Sequence, residues 1–253
     1  MQLNFSEKLS NFRNYDTLFE TAHRTKENIS QVMRYAIATG RADRDPCPDL
    51  RGALKTPKVK HMPTLTDPEE VAELLRAIDG YKGGPIVRAA LRLAPLVFVR
   101  PGELRAAKWA DIDFDRAEWQ FVTSKTKTEH LVPLANQALE ILNDLQPLTC
   151  DGEFVFPNVR PGRPIADATL NRALQTMGYD TTNDICPHGF RAMARTLLAE
   201  RLHFPAEIIE YQLAHSVPDA LGTAYNRTKF INDLRRISNY YYKFIAMLLL
   251  LVV

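Results

Sequence analysis

Glu118–Leu134, EWQFVTSKTKTEHLVPL, is the stretch on which the reading of the fold turns. Trp119, Phe121 and Thr123 alternate with polar neighbours, a second short run follows from His130 to Leu134, and a Lys- and Thr-rich segment separates them. A side-chain period of two over such lengths is the mark of half-buried strands, so this segment predicts a β-hairpin with Lys125 at its tip. Everything around it has a different period. Val71, Leu74, Leu75 and Ile78 recur at helical spacing, with Thr66 and Glu69 as the expected capping box and Pro68 in the first turn. From Ile86 toward Val99 the chain is apolar nearly all round, which predicts a buried helix kinked at Pro95. Leu104–Trp109, Ala138–Leu145, Asp167–Met177 closed by Gly178, Phe190–Arg201 and Pro205–Leu213 read as further helices, with another one holding Tyr225. The fold class expected is mainly α with a small antiparallel β-sheet inserted.

Upstream, Thr21–Thr39 reads as an amphipathic helix carrying Ile29, Val32, Met33 and Ala36, with Gly40 as its stop. Asp45, Pro46, Pro48, Pro57 and Pro63, with KTPKVK among them, read as a linker. The domains expected are residues 1–60, a partial helical unit and linker; residues 61–243, the main body; and residues 244–253, an apolar tail. That tail, FIAMLLLLVV, has ten residues, where a membrane-spanning helix needs about 20. It reads as a helix end docked on protein, and no membrane partner is expected.

The chain has 253 residues, 45% of them hydrophobic, with a formal net charge of +2. The first 60 residues carry +4 and the remainder −2, so any grip on a polyanion must come from clustered basic groups rather than bulk charge. Cys47, Cys150 and Cys186 lie far apart in no CxxC pair, which argues against a disulfide framework or a zinc site. The polar N-terminus lacks the apolar stretch of a secretory signal, and a cytoplasmic location is expected.

Four short stretches hold residues suited to a phosphodiester: Arg100 in VRPGEL, Lys125 in SKTKTEH, His188 and Arg191 in PHGFR, and His215 and Tyr225 in LAHSVPDALGTAY. Charge gathers on the non-bridging oxygens of a phosphodiester under attack, and two guanidinium forks suit them. A phenolate nucleophile would make a covalent phosphotyrosine and keep the energy of the broken bond for resealing. Such chemistry needs no ATP, cofactor or metal, and no carboxylate cluster of the kind that holds Mg²⁺ is evident in the sequence. Lys125, Lys127 and His130 compete by residue type for a role at the hairpin. On a helix His188 and Arg191, three apart, share a face, and Gly189 is read as allowing close approach of backbone to ligand.

The order and context of these blocks, from TLFETAHRTKENISQVMRYAIATGRADRDPCPDLRGAL through VFVRPGELRAAKWADIDFD, TEHLVPLANQALEIL and HGFRAMARTLLAE to IIEYQLAHSVPDALGTAYNR, resemble the tyrosine recombinases, more narrowly the satellite-phage and genomic-island integrases. The resemblance runs from about Leu18 to Tyr242. It implies that Arg100 and Arg191 clamp the scissile phosphate, that Glu103 supports the local structure, that Lys125 protonates the departing deoxyribose oxygen, and that His215 donates to the phosphate; His188, by residue type, suits either stabilising charge in the transition state or taking a proton from the nucleophile. Tyr225 is the implied nucleophile. It further implies double-stranded DNA attachment sites, a homotetramer on DNA that exchanges a C-terminal segment between neighbours, and host DNA-bending and excision factors as partners. The implied outcome is integration or excision of a mobile element. With only about sixty residues ahead of the main body, the chain reads as N-terminally shortened, and a catalytically silent DNA-binding remnant or regulator is the alternative.

Overall fold

The structure, a computed structural model, describes residues 15–54, 56, 61–215 and 231–250. Its contacts divide the chain into two units, Met1–His61 and Met62–Val253.

In the first unit helix α1 runs over Tyr15–Ala38. Gly40, at φ +67°, ends it: the Arg41 amide reaches the Ala36 carbonyl at 2.8 Å and the Gly40 amide reaches Ile37 at 3.0 Å. These paired bonds close the helix in the way its glycine foretold. Asp45 joins α1 to a 3-10 turn at Cys47–Leu50, accepting from Ser30 Oγ at 2.5 Å and from the Cys47 amide at 2.9 Å. Those bonds, the Ser30 bond foremost, hold its carboxyl below the usual range. Leu18, Ile29, Val32 and Tyr35 on α1 remain exposed.

The second unit is helical around one small sheet. Helix α2, Pro68–Asp79, is capped by Asp67, whose carboxylate accepts from the Glu69 amide at 2.9 Å and the Glu70 amide at 3.3 Å. The cap expected at Thr66 therefore falls one residue later, because Pro68 occupies the first helical position and leaves its predecessor extended as the cap. The expected face of Val71, Leu74, Leu75 and Ile78 is buried. Helix α3, Pro85–Val97, contains Pro95 and buries Ala90, Leu91, Leu93, Ala94 and Val97. It is apolar apart from an exposed edge bearing Arg88 and Arg92 because it is central: α2, the short helix α4 at Pro101–Arg105, α5 at Asn136–Thr149, α6 at Ala168–Thr176, α7 at Gly189–Glu200 and the last described helix, α9, at Ile231–Leu250, all pack on it.

The hairpin is present, as β2 (Glu118–Val122) and β3 (Glu129–Pro133), paired antiparallel with Trp119 opposite Val132 and Phe121 opposite His130. A two-residue strand β1, Ile112–Asp113, extends it to three strands in the order β1-β2-β3. Trp119 and Val132 face the core. Glu118, also buried, is paired with Arg235 of α9 at 2.8 Å, and Ser238 Oγ of α9 donates to the Pro133 carbonyl at 3.1 Å. Helix α8, Ala206–Gln212, packs on α7.

The apolar run from Phe244 is not a separate body over its described part. Through Leu250 it continues α9, with Ile245 and Leu248 buried in the core of their own unit. Among the described residues, no helix is long and apolar enough to cross a membrane.

Candidate catalytic site

Helix α3 ends at Phe98, which adopts the left-handed region at φ +55°. A side chain there costs about 1 kcal/mol. The ring is fully buried and meets Tyr241 of α9 edge-on at 4.7 Å, which anchors the turn. Two residues on, Arg100 caps α4. Its amide donates to Glu103 Oε2 at 3.0 Å and its guanidinium to Oε1 at 3.0 Å. Glu103 is buried, and Oε1 also accepts from the Ser124 amide at 3.3 Å and Ser124 Oγ at 3.4 Å. One carboxylate thus ties the arginine to the root of the hairpin turn, next to Lys125.

Helix α7 begins at Gly189. A Cβ there would lie 2.2 Å from the Pro63 carbonyl oxygen and 2.8 Å from Ile185 Cδ1. The close approach expected of this glycine is therefore to the chain's own backbone rather than to a ligand. Thr64 Oγ1 donates to the Gly189 carbonyl at 2.8 Å across the same contact. One half-turn later Arg191 is buried. Its guanidinium donates to the Phe98 carbonyl, to the Leu213 carbonyl at 2.6 Å, and to His215 Nε2 at 3.1 Å. Burial, then the charge of Arg100, pushes its pKa down to about 10, leaving it cationic at neutral pH.

Helix α8 ends in the paired bonds usually built on glycine: the Ala214 amide to Tyr211 and the His215 amide to Glu210, both at 3.0 Å. Here the left-handed residue is Ala214, at φ +51°. Its carbonyl accepts from Arg100 at 3.3 Å. Each arginine is therefore met by a carbonyl of a left-handed residue that is not glycine. Glu210 accepts from His215 Nδ1 at 2.5 Å and from Arg195 Nε at 2.6 Å. Burial alone would raise its carboxyl, but the bonds from His215 and Arg195 and the charge of Arg195 outweigh this and hold it low.

Arg100, Arg191, His188 and His215 thus form one cationic cluster. His188, accessible at the start of α7, is lowered in pKa by partial burial and then by the charges of Arg191 and Arg100. Lys125 lies exposed in the turn between β2 and β3, as does Lys127 at φ +55°. That turn is fastened by hydroxyl contacts of Thr123 with Thr126 at 2.7 Å and Thr128 at 3.2 Å. His130, by contrast, is buried, bonded through Nε2 to the Gln212 carbonyl at 3.2 Å, and pushed by burial down to about 4. It stands under the site as a neutral support. Tyr225, with the helix expected to hold it, lies outside the described residues. Among the described residues no group of His, Cys, Asp and Glu is placed to hold a metal ion.

Sequence reading missed Glu210, Arg195 and the carbonyls of Phe98, Leu213 and Ala214. A carbonyl carries no sequence signal. Glu210 could have been suspected from its place one turn before the end of the helix that leads into His215.

The arrangement is similar in fold to a lambda integrase dimer bound to a COC′ core site, with a TM-score of 0.60 and 21% identity, covering 79% of this chain and 73% of that one. A lambda integrase tetramer bound to a Holliday junction matches at a TM-score of 0.57 and 22% identity, over 79% of this chain and 59% of that one. At such identities these define the fold. The phage integrase family model matches residues 64–230, and the phage integrase central domain residues 14–53. The integrase of Enterobacteria phage P4 is 36% identical over 233 residues, 86% of this chain and 53% of that relative. The chain belongs to the phage integrase family, the tyrosine recombinases of phages and prophages. It spans about half the length of the curated relatives it matches.

Proposed function

We propose that this chain is a site-specific DNA recombinase that cuts and rejoins strands through a 3′-phosphotyrosyl intermediate. The observation that carries the proposal is the convergence of Arg100, Arg191, His188 and His215, from three separate sequence blocks, on one cluster. Two guanidinium groups and two imidazole donors in one place offset the negative charge that a phosphoryl group gathers as its coordination expands. Family membership supports the same reading.

In the proposed reaction the Tyr225 hydroxyl gives its proton to His188 and its oxygen attacks phosphorus. The bond to the 5′ oxygen breaks, and that oxygen leaves with a proton from Lys125. Arg100 and Arg191 hold the non-bridging oxygens, with His188 and His215 as further donors. Glu103 fixes Arg100 and the root of the turn that bears Lys125. A 5′ hydroxyl then reverses the attack, and if it comes from another duplex the strands are exchanged. No metal takes part. The substrate is double-stranded DNA at attachment sites. Four copies assemble on two such sites, in keeping with the tetrameric neighbour; host bending and excision factors belong to the same proposal, as does a cytoplasmic setting.

The test is covalent trapping on a nicked suicide substrate in the presence of chelator. A protein–DNA adduct from the wild-type chain and none from Tyr225→Phe is expected. Binding to the site with no adduct from either would instead indicate a silent DNA-binding remnant.

A further inference from the structure

Glu210 touches His215 twice. Its backbone carbonyl accepts the His215 amide at 3.0 Å, and its carboxylate lies 2.5 Å from Nδ1 of the ring. The carboxylate can only accept, so the proton between them belongs to Nδ1. On the other side, the Arg191 guanidinium has only donors, so Nε2, at 3.1 Å, must accept. A single protonation pattern satisfies both contacts: a neutral ring with hydrogen on Nδ1 and Nε2 turned to the guanidinium. Which nitrogen of an imidazole is free for chemistry is set by the bond the other one makes.

Glu210 is itself fixed. Arg195 Nε, on α7, holds its second oxygen at 2.6 Å. Arg191 lies four residues earlier on that helix, so the bridge from Arg195 through Glu210 to His215 ties the end of α8 to the helix that bears the phosphate-binding arginine. We infer that Glu210 is the positioning residue for His215, holding Nδ1 as the ring's internal donor and presenting Nε2 beside Arg191 at the phosphate-binding cluster. This rests on the proposed recombinase reading. A phosphate entering the cluster takes the Arg191 donors away from Nε2. To meet the phosphate Nε2 must then carry a proton taken from solvent, and the Glu210 carboxylate across the ring offsets that charge. Arg195 acts one step further out, by keeping the carboxylate turned to the ring.

The test uses the full chain and has two arms. In ¹⁵N-histidine spectra of the DNA-free protein near neutral pH, with His215 assigned by its loss in His215→Ala, wild type should show the Nδ1–H form. Glu210→Met, which keeps length but has no oxygen acceptor, should free the ring to turn away from Arg191 and shift it toward Nε2–H, and Glu210→Gln, which retains an acceptor, should restore the wild-type pattern. In single-turnover cleavage of the suicide substrate, His215→Ala should lose about 100-fold. Glu210→Met should lose about tenfold through the same ring and change the rate less than about twofold in the His215→Ala background. An unchanged ring pattern in Glu210→Met, or an undiminished loss when His215 is already absent, would overturn the inference. If wild type forms no adduct the recombinase reading fails, while the spectra still decide whether Glu210 sets the ring.

Discussion

The two arginines of the cluster are held by opposite means. Arg100 is partly accessible and paired with a buried carboxylate, Glu103, which also grips Ser124. Arg191 is buried, and among the described residues no carboxylate lies within bonding distance of it; there its direct partners are two carbonyls and an imidazole. A carboxylate orients a guanidinium but cancels part of its field, whereas carbonyls orient it and leave the charge in place. In the proposed reaction Arg191 is therefore the stronger attractor for the phosphate, and Arg100 the arm that couples it to the hairpin.

The largest effect expected from this difference is in Arg191→Lys. One ammonium nitrogen cannot stand where the two guanidinium nitrogens separately serve the Phe98 and Leu213 carbonyls and still meet a phosphate, so cleavage should fall roughly 1,000-fold. Leaving a buried carbonyl unserved should also cost about 2 kcal/mol of stability. Arg100→Lys keeps a cation beside Glu103, so it should reduce cleavage while changing stability by less than about 1 kcal/mol. Denaturation curves and single-turnover rates on both variants check this, and equal stability losses would remove the distinction.

Next in size is a pH effect beneath the Arg191 side, where His130 supports the Gln212 carbonyl beside Leu213. Its pKa in the folded state, about 4, is below the ordinary 6.5, so the folded chain holds the neutral ring while the unfolded chain takes up the proton first. The stability is fully present above pH 6.5 and is lost as pH falls toward 4, amounting to as much as about 3 kcal/mol. His130→Gln should flatten the stability profile over that interval. Profiles that run parallel would show that another group governs it.

Gly189→Ala tests the seat of α7. A methyl group 2.2 Å from the Pro63 oxygen must displace backbone. A loss of about 2 kcal/mol in chemical denaturation is expected, against no measurable loss if the Pro63 segment yields freely. The smallest effect should lie at Ala214, beside Arg100. Ala214→Gly relieves the left-handed alanine and should add about 0.5 kcal/mol of stability, read as a rise in the denaturation midpoint; a fall would mean that the strain lies elsewhere.

These two environments were not equally legible in the sequence. The hairpin showed in the alternation of Trp119, Phe121 and Thr123, and α2 in its apolar spacing, because burial on one face imposes a period. Gly40 announced the end of α1 because a left-handed helix end favours glycine. The same device at Phe98 and Ala214 left no trace, since tertiary bonds hold ordinary residues there. Gly189 was visible as a constraint, but its partner, Pro63, is 126 residues away and appears only on folding. Strand β1, two residues long, has no period to read. The apolar run after Phe244 read as a helix end docked on protein, and through Leu250 it ends α9 with Ile245 and Leu248 enclosed by their own unit's core, so removing Phe244–Val253 should destabilise that unit. Arg100, Arg191, His188 and His215 were all named from motif context; the sequence did not disclose that Glu210 and three carbonyls arrange them.

The account stands on the claim that this cationic cluster serves attack by one particular phenol. Mass-spectrometric mapping of the DNA-linked peptide from a suicide-substrate reaction tests it most directly among the chain's nine tyrosines. The DNA should be found on Tyr225, with the rate of linking reduced about 1,000-fold by Arg191→Lys. Attachment at another tyrosine, or at Tyr225 undiminished by Arg191→Lys, would contradict it.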